Sequence, residues 1–300
     1  MHSLAALVMK SRSLAIAITV VTAIVSFLFP PIIVLSLAVI TLLTLRRGSM
    51  EGVTITTAAM VAVILLGFAM PGNMQTSLVI FPVLWLPVLL LATIYRQTVS
   101  LQWTAISTTV FGVVVVIGFY LAWDDPQAVW LDVLEHTRPM LVQTGAFKDP
   151  AQVDELIKGM ARIFSGVAAS VMVILLLCGL LMGRWWQAML FNPGGFRREF
   201  HALRLGPATG WLMLAMLGLS LMIRHPLLID ITTVVWVVFA FQGLAMFHGL
   251  LANVNSGLVW LSLIYISILL LPTISVVLSG IGLLDTWFDF RARRPGTQRK

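Results

Sequence analysis

The sequence predicts an all-α fold: a polytopic transmembrane bundle of about 8–10 membrane helices, with short interfacial helices on the outer side. Three observations carry this. First, 59% of the chain is apolar and only 10% charged, with a mean hydropathy of +1.00, against about 25% charged in an average soluble domain. Second, the apolar residues fall in runs of about the 20 residues that a helix needs to cross the hydrocarbon core. Third, the tryptophans and basic residues gather at the ends of those runs. Backbone groups in lipid must be bonded within the segment, so β-branched runs that would form strands in water are read as helices.

In chain order the runs are 14–29, 32–45, 52–70, 77–95, 101–122, 163–183, 209–223, 227–251 and 257–284. Lys10 and Arg12 before the first run resemble the basic flank of a signal peptide. Phe29-Pro30-Pro31 follows in place of a small-residue cleavage site, so an uncleaved first span is expected. Pro30-Pro31 divides 14–45 and Pro272 divides 257–284, because proline removes a backbone donor and disfavours helix before it. With both divisions, fourteen of the 19 basic residues lie on one side and five on the other, so both termini are expected to be cytoplasmic. The tryptophan belt would comprise Trp103, Trp185, Trp186, Trp211, Trp260 and Trp287 inside and Trp123 outside.

The whole of 1–300 reads as one integral membrane domain with three polar interruptions: an external cap at 123–161, a cytoplasmic loop at 184–207 and a basic tail at 285–300. The cap holds seven of the twelve acidic residues. Apolar spacing over 129–141 and 151–163, with Asp149-Pro150 as a start signal, predicts two surface helices there.

Several function classes are disfavoured. The excess of 19 basic over 12 acidic residues is a sign of orientation, since no soluble region is large enough to bind nucleic acid. One cysteine, Cys178, leaves no disulfide framework and no cysteine metal site. HExxH, GxSxG and the phosphate-cradling GxxxxGK[ST] are all missing, and the five histidines lack ligand spacing. The reading is therefore non-enzymatic, with no catalytic residue, no metal and no cofactor.

Polar groups inside apolar runs are costly and need a reason. Gln242 is the deepest of them, with Trp236 in the same span and Trp85 at similar depth in another. These three are the candidate ligand-binding residues; the alternatives are an interhelical hydrogen bond for Gln242 and core filling for the tryptophans. Asp230 and His248 read as interfacial caps. Ala58 and Ala62 have a small-xxx-small spacing that allows close helix approach.

Two polar segments form the candidate partner or membrane interface. Asn192, Pro193, Gly194 and Gly195 make a turn, after which Phe196, Phe200 and Leu203 recur at i, i+4 and i+7 beside Arg197, Arg198 and Arg204. That pattern predicts a short helix at the headgroup level. In the second segment Asp285 and Asp289 share a helix face near Trp287 and Arg291, and Asp289 is spaced to pair with Arg293.

The stretches Asn192-Pro193-Gly194-Gly195-Phe196, Glu199-Phe200 and Leu203-Arg204-Leu205-Gly206, together with Gly282-Leu283-Leu284-Asp285-Thr286-Trp287-Phe288-Asp289-Phe290-Arg291, resemble the YybS-like bacterial inner-membrane family, a domain of unknown function. More distantly the chain is similar to the substrate-binding S components of energy-coupling-factor vitamin transporters. Those resemblances imply an inner-membrane location, a small-molecule pocket near the outer surface, and other membrane subunits as partners besides the lipid bilayer. The S components have six helices and carry a small-xxx-small motif in the first; here the helices are more numerous and Ala58/Ala62 lie in a later one. Two functions are expected on this basis: small-molecule binding in the manner of an S component or, alternatively, a non-enzymatic scaffold in cell-envelope biogenesis.

Overall fold

The computed structural model describes residues 1–69, 74–143, 147 and 149–292. Lys148 and the tail from residue 293 onward, including the expected Asp289–Arg293 pair, lie outside the described residues. Among the described residues the regular structure is helical throughout, with no strand. The amino-terminal helices are α1 (His2–Lys10), α2 (Arg12–Val25), α3 (Ile33–Arg47), α4 (Ser49–Ala69), α5 (Met74–Thr98) and α6 (Leu101–Ala122). Then come the short α7 (Pro126–Glu135), α8 (Arg138–Gln143) and α9 (Pro150–Ala161), the long α10 (Phe164–Phe191), and α11 (Gly195–His201). The chain continues through α12 (Pro207–Ile223), α13 (Pro226–Leu251), α14 (Gly257–Leu270) and α15 (Ile274–Phe288).

Among the described residues six segments are long and apolar enough to cross a membrane: Pro30–Arg47, Ser49–Gly67, Phe81–Thr98, Leu101–Ala122, Phe164–Phe191 and Pro226–Leu251. Four shorter apolar helices, α2, α12, α14 and α15, accompany them. Large apolar side chains on these helices face outward, Leu269 at 81% exposure among them. Water would penalise so continuous an apolar exterior, and acyl chains do not. The chain is a multi-pass membrane protein.

Both proline divisions occur. A single 3-10 turn at Pro30–Ile32 separates α2 from α3, and α14 ends at Leu270 before α15 begins at Ile274. Pro82 and Pro87, by contrast, sit inside α5 without ending it, a tolerance common in membrane helices because neighbouring groups satisfy the freed carbonyls. The amphipathic α1 ahead of the first apolar run was not anticipated; Ala5 and Val8 on it are buried.

The chain forms two compact units: Met1–Thr108, Ile174–Leu205 and Ala245–Leu261 in the first, Thr109–Val173, Gly206–Leu244 and Ser262–Lys300 in the second. In the first, α2, α4 and α5 pack around α3, and Leu37, Ala38, Val39, Ile40, Leu42 and Leu43 of α3 are completely buried. Close approach is set by Gly179 and Gly183 of α10, where an added Cβ would stand 2.3 Å from Leu37 Cβ and 2.5 Å from Thr41 Cβ. This is the small-xxx-small contact that the sequence reading sought at Ala58 and Ala62, which are only half-buried. Trp186 joins this core fully buried and so is not a belt residue. Glu51 holds the basic ends of α2 and α3 together, accepting from Arg12 Nη2 at 2.7 Å and Arg47 Nη1 at 3.2 Å.

In the second unit Gly112 of α6 lies against Val173 of α10 and Val234 of α13. The segment at 123–161, expected as an external cap, makes three helices among its described residues where two were expected. Pro139 clashes with the carbonyl four residues earlier, and α7 accordingly stops at Glu135, with Pro139 placed in the first turn of α8. Asp125 and Asp149 cap α7 and α9 by accepting from the Gln127 and Ala151 amides at 3.0 and 2.9 Å. The helices share a small core of Leu134, Val153, Ile157 and Ala161.

Candidate functional site

Gln242 lies on α13, fully buried, and its side-chain amide donates to the Gly282 carbonyl at 2.8 Å. Thr286 Oγ1 at 3.2 Å and Asp285 Oδ2 at 3.3 Å share the same Nε2. The helices come this close because a Cβ on Gly282 would stand 2.1 Å from the Phe239 carbonyl oxygen. Beyond Phe288, Asp289 takes a left-handed conformation (φ 43°) and the chain folds back. The Phe290 amide then donates to Asp285 Oδ1 at 3.1 Å, and Arg291 Nη2 reaches Oδ2 at 2.6 Å. Asp285, with no exposure, is thus neutralised by Arg291 and hydrogen-bonded on both oxygens.

The sequence left Gln242 between a ligand and an interhelical hydrogen bond, and the structure makes the hydrogen bond; the sequence did not show its partners, because Asp285 and Arg291 were read as part of a surface. The left-handed turn also takes Asp289 off the face it was expected to share with Asp285; its Oδ1 accepts from the Ala292 amide at 3.4 Å. Trp287 packs edge-on to Trp211 with centroids 5.1 Å apart. Trp236 is half-buried, and its indole nitrogen and that of Trp287 are buried without a hydrogen-bond partner.

Trp85 belongs to the other unit. It is completely buried, donates from Nε1 to Ser36 Oγ at 3.1 Å and packs against Phe81 at 5.1 Å. Its polar atom is therefore consumed within the core.

The 192–206 segment is mounted on a buried ion pair. Arg184, near the end of α10 and only 4% exposed, donates from Nε to Glu199 Oε2 at 3.0 Å and to Tyr95 Oη at 2.7 Å. Arg184 also contacts Gln187 and the other Glu199 oxygen, and the Tyr95 hydroxyl donates to Glu199. Between them the chain reverses at Asn192 and Gly194, whose φ of 81° suits glycine. Gly195 lies so close to Asn192 that a Cβ there would meet its Nδ2 at 2.3 Å.

The apolar stripe of α11 faces protein, not headgroups: Phe200 and Leu203 are buried, Phe200 meets the His248 ring edge-on at 5.4 Å, and Phe196 stacks on Phe200 at 5.7 Å. Arg197 donates to the Ala252 carbonyl at 3.0 Å, near the carboxyl end of α13, while Arg198 is exposed and Arg204 half-buried. Tyr95 and Glu199 were overlooked. The sign available was Arg184 itself, a cation immediately before Trp185-Trp186 inside an otherwise apolar helix.

Asp230 is a second group the sequence misplaced. It is 1% exposed, not interfacial. Its Oδ2 accepts from the Tyr120 hydroxyl at 2.8 Å, whereas Oδ1 is buried with no hydrogen bond of ordinary geometry. Gly166 permits the approach, since a Cβ there would stand 2.6 Å from Asp230 Cα and 2.8 Å from Oδ1. Asp230 lies in the second turn of α13 and was read as a helix-end residue; α6 and α10 cover it.

Among the described residues no cluster of three or more His, Cys, Asp or Glu is placed to hold a metal. No protein-family model, curated protein or solved structure matches this chain.

Proposed function

We propose that this protein is a non-enzymatic scaffold of the bacterial inner membrane, with both termini cytoplasmic, that docks an acidic segment of a partner protein on α11. The supporting observation is the mounting of α11: the buried Arg184–Glu199 pair and the Phe200 and Leu203 anchors fix it, while Arg198 remains exposed. A helix that served only as a lipid anchor would turn its apolar stripe to the membrane; here the stripe is used internally. The fourteen-to-five distribution of basic residues supports the cytoplasmic placement of this face, and the two motifs agree with the YybS-like resemblance.

The test is a photocrosslinker at Asn192, beside α11, in native membranes. A protein adduct that disappears in Arg198→Glu, with the folded yield unchanged, is the expected result. Adducts to lipid alone, or an adduct indifferent to Arg198→Glu, would overturn the reading. Arg197 is unsuited to this because it bonds the Ala252 carbonyl.

A second reading, small-molecule binding in the manner of an S component, is favoured by one observation: the buried Trp236 indole N–H has no partner and could donate to a ligand oxygen. Native mass spectrometry of wild type and Trp236→Phe tests it. A small molecule retained by the wild type and lost in the variant supports this reading, and an unliganded wild type removes it.

A further inference from the structure

The buried carboxyl of Asp230 is not absorbed by either reading. It stands where α6, α10 and α13 meet in the second unit, with Gly112 against Val173 and Val234 on one level and Gly166 against Asp230 on another. One oxygen receives the Tyr120 hydroxyl and the other receives no ordinary hydrogen bond. No salt bridge to Asp230 occurs among the described residues, in contrast to Asp285, which has Arg291. Ser170, one turn beyond Gly166 on α10, is another buried polar side chain without a partner. An ionised carboxylate lacking a counter-ion is among the costliest groups to keep in hydrocarbon, and such residues mark proton or ion sites.

We propose that Asp230 is an intramembrane proton-binding site, neutral when occupied and loaded through Tyr120. Tyr120 is half-buried and lies in the last turn of α6, ahead of the segment that begins α7. In the loading step Tyr120 passes its hydroxyl proton to Asp230 Oδ2 and takes one from hydronium. One proton is thereby bound, water is released and Tyr120 is unchanged. The titratable neighbours are Tyr120 itself and, acting on it, Asp125 at the cap of α7; α10 presents Gly166 here, and α12 meets α13 through the Met216 carbonyl and Thr232. Unloading leaves a carboxylate that faces the Tyr120 hydroxyl and the Gly166 backbone, with no salt bridge among the described residues.

The experiment is infrared difference spectroscopy of the full-length protein in lipid between about pH 5 and pH 9. The expected result is a protonated-carboxyl C=O band that is absent in Asp230→Asn and titrates differently in Tyr120→Phe. Asparagine keeps the acceptor oxygen facing Tyr120, and the wild type carries the decisive reading if that variant folds poorly. A wild-type spectrum with no protonated-carboxyl band across this range would overturn the proposal. So would a carboxylate signal that responds to sodium and not to pH, which would mark a cation site. Thermal unfolding adds an independent reading: the wild type should lose stability relative to Asp230→Asn as pH rises, and parallel curves would count against proton binding.

Discussion

Arg184 and Glu199 face each other across a chain reversal, Nε to Oε2 at 3.0 Å, with their side chains 5% and 27% exposed. The pair joins the end of a membrane-crossing helix to the cytoplasm-expected α11, and Tyr95 adds a third helix to the junction. Removing one partner from a buried pair costs more than the pair is worth, because the other charge stays behind.

Arg184→Ala is accordingly expected to destabilise the protein by about 3 kcal/mol, at the low end for a buried pair because Glu199 retains access to water. Glu199→Gln keeps an acceptor but leaves the more deeply buried Arg184 charge without its counter-ion, so it should cost at least as much. Denaturant titration in detergent checks the order; a loss from Glu199→Gln far below that from Arg184→Ala would mean that the charge on Glu199 contributes little.

The Gln242 and Asp285 variants should separate in the same way. Gln242→Ala removes an interhelical hydrogen bond of a kind worth about 0.6 kcal/mol in membranes. Asp285→Ala strands Arg291 and should cost about 3 kcal/mol. The same titration decides: a larger loss from Gln242→Ala would show that the amide, not the ion pair, holds α15 to α13.

Two glycines provide a paired test of helix contact. Gly282→Ala places a Cβ 2.1 Å from a backbone carbonyl and must push α15 away from α13. Gly218 of α12 has open space within 4 Å, so Gly218→Ala should be neutral or stabilising by up to about 1 kcal/mol. Comparing melting temperatures of the two variants suffices, and equal effects would refute the contact.

Acid should loosen the packing of α7, α8 and α9. Arg138 bonds Glu135 through Nη2 at 2.8 Å and also pairs with Asp154 on α9. The Arg138 guanidinium holds the Glu135 carboxyl below the usual carboxylate range, and the carboxylates raise Arg138. A depressed carboxyl stabilises the folded form above its unfolded value and loses that contribution as pH falls through the folded one. Amide protection over 126–143 and 149–161, corrected for the intrinsic pH dependence of exchange, should therefore fall as the solution is acidified through the carboxylate range. Protection independent of pH in Arg138→Met alone would agree with this account; the same independence in the wild type would contradict it.

What the sequence determined by itself was the class of solvent and the course of the chain. Hydropathy located the apolar helices, and Pro30-Pro31 and Pro272 divided two of them where the structure does, because a missing amide acts locally whatever surrounds it. Asp149-Pro150 began α9 for the same local reason. Tertiary structure alone decided what the polar residues do. Gln242, Asp285 and Arg291 were each recognised as unusual, yet their meeting depends on a glycine-permitted crossing and a left-handed residue after α15. Tyr95, Glu199 and Tyr120 were overlooked because a polar residue near a helix end reads as interfacial until another helix covers it. Gly179 and Gly183 have the spacing of a close contact, but spacing alone did not single them out from Ala58 and Ala62. Periodicity along one helix identifies its faces; which face meets which neighbour is fixed only when side chains from distant segments exclude one another, and that is information the linear chain holds jointly and not at any one position.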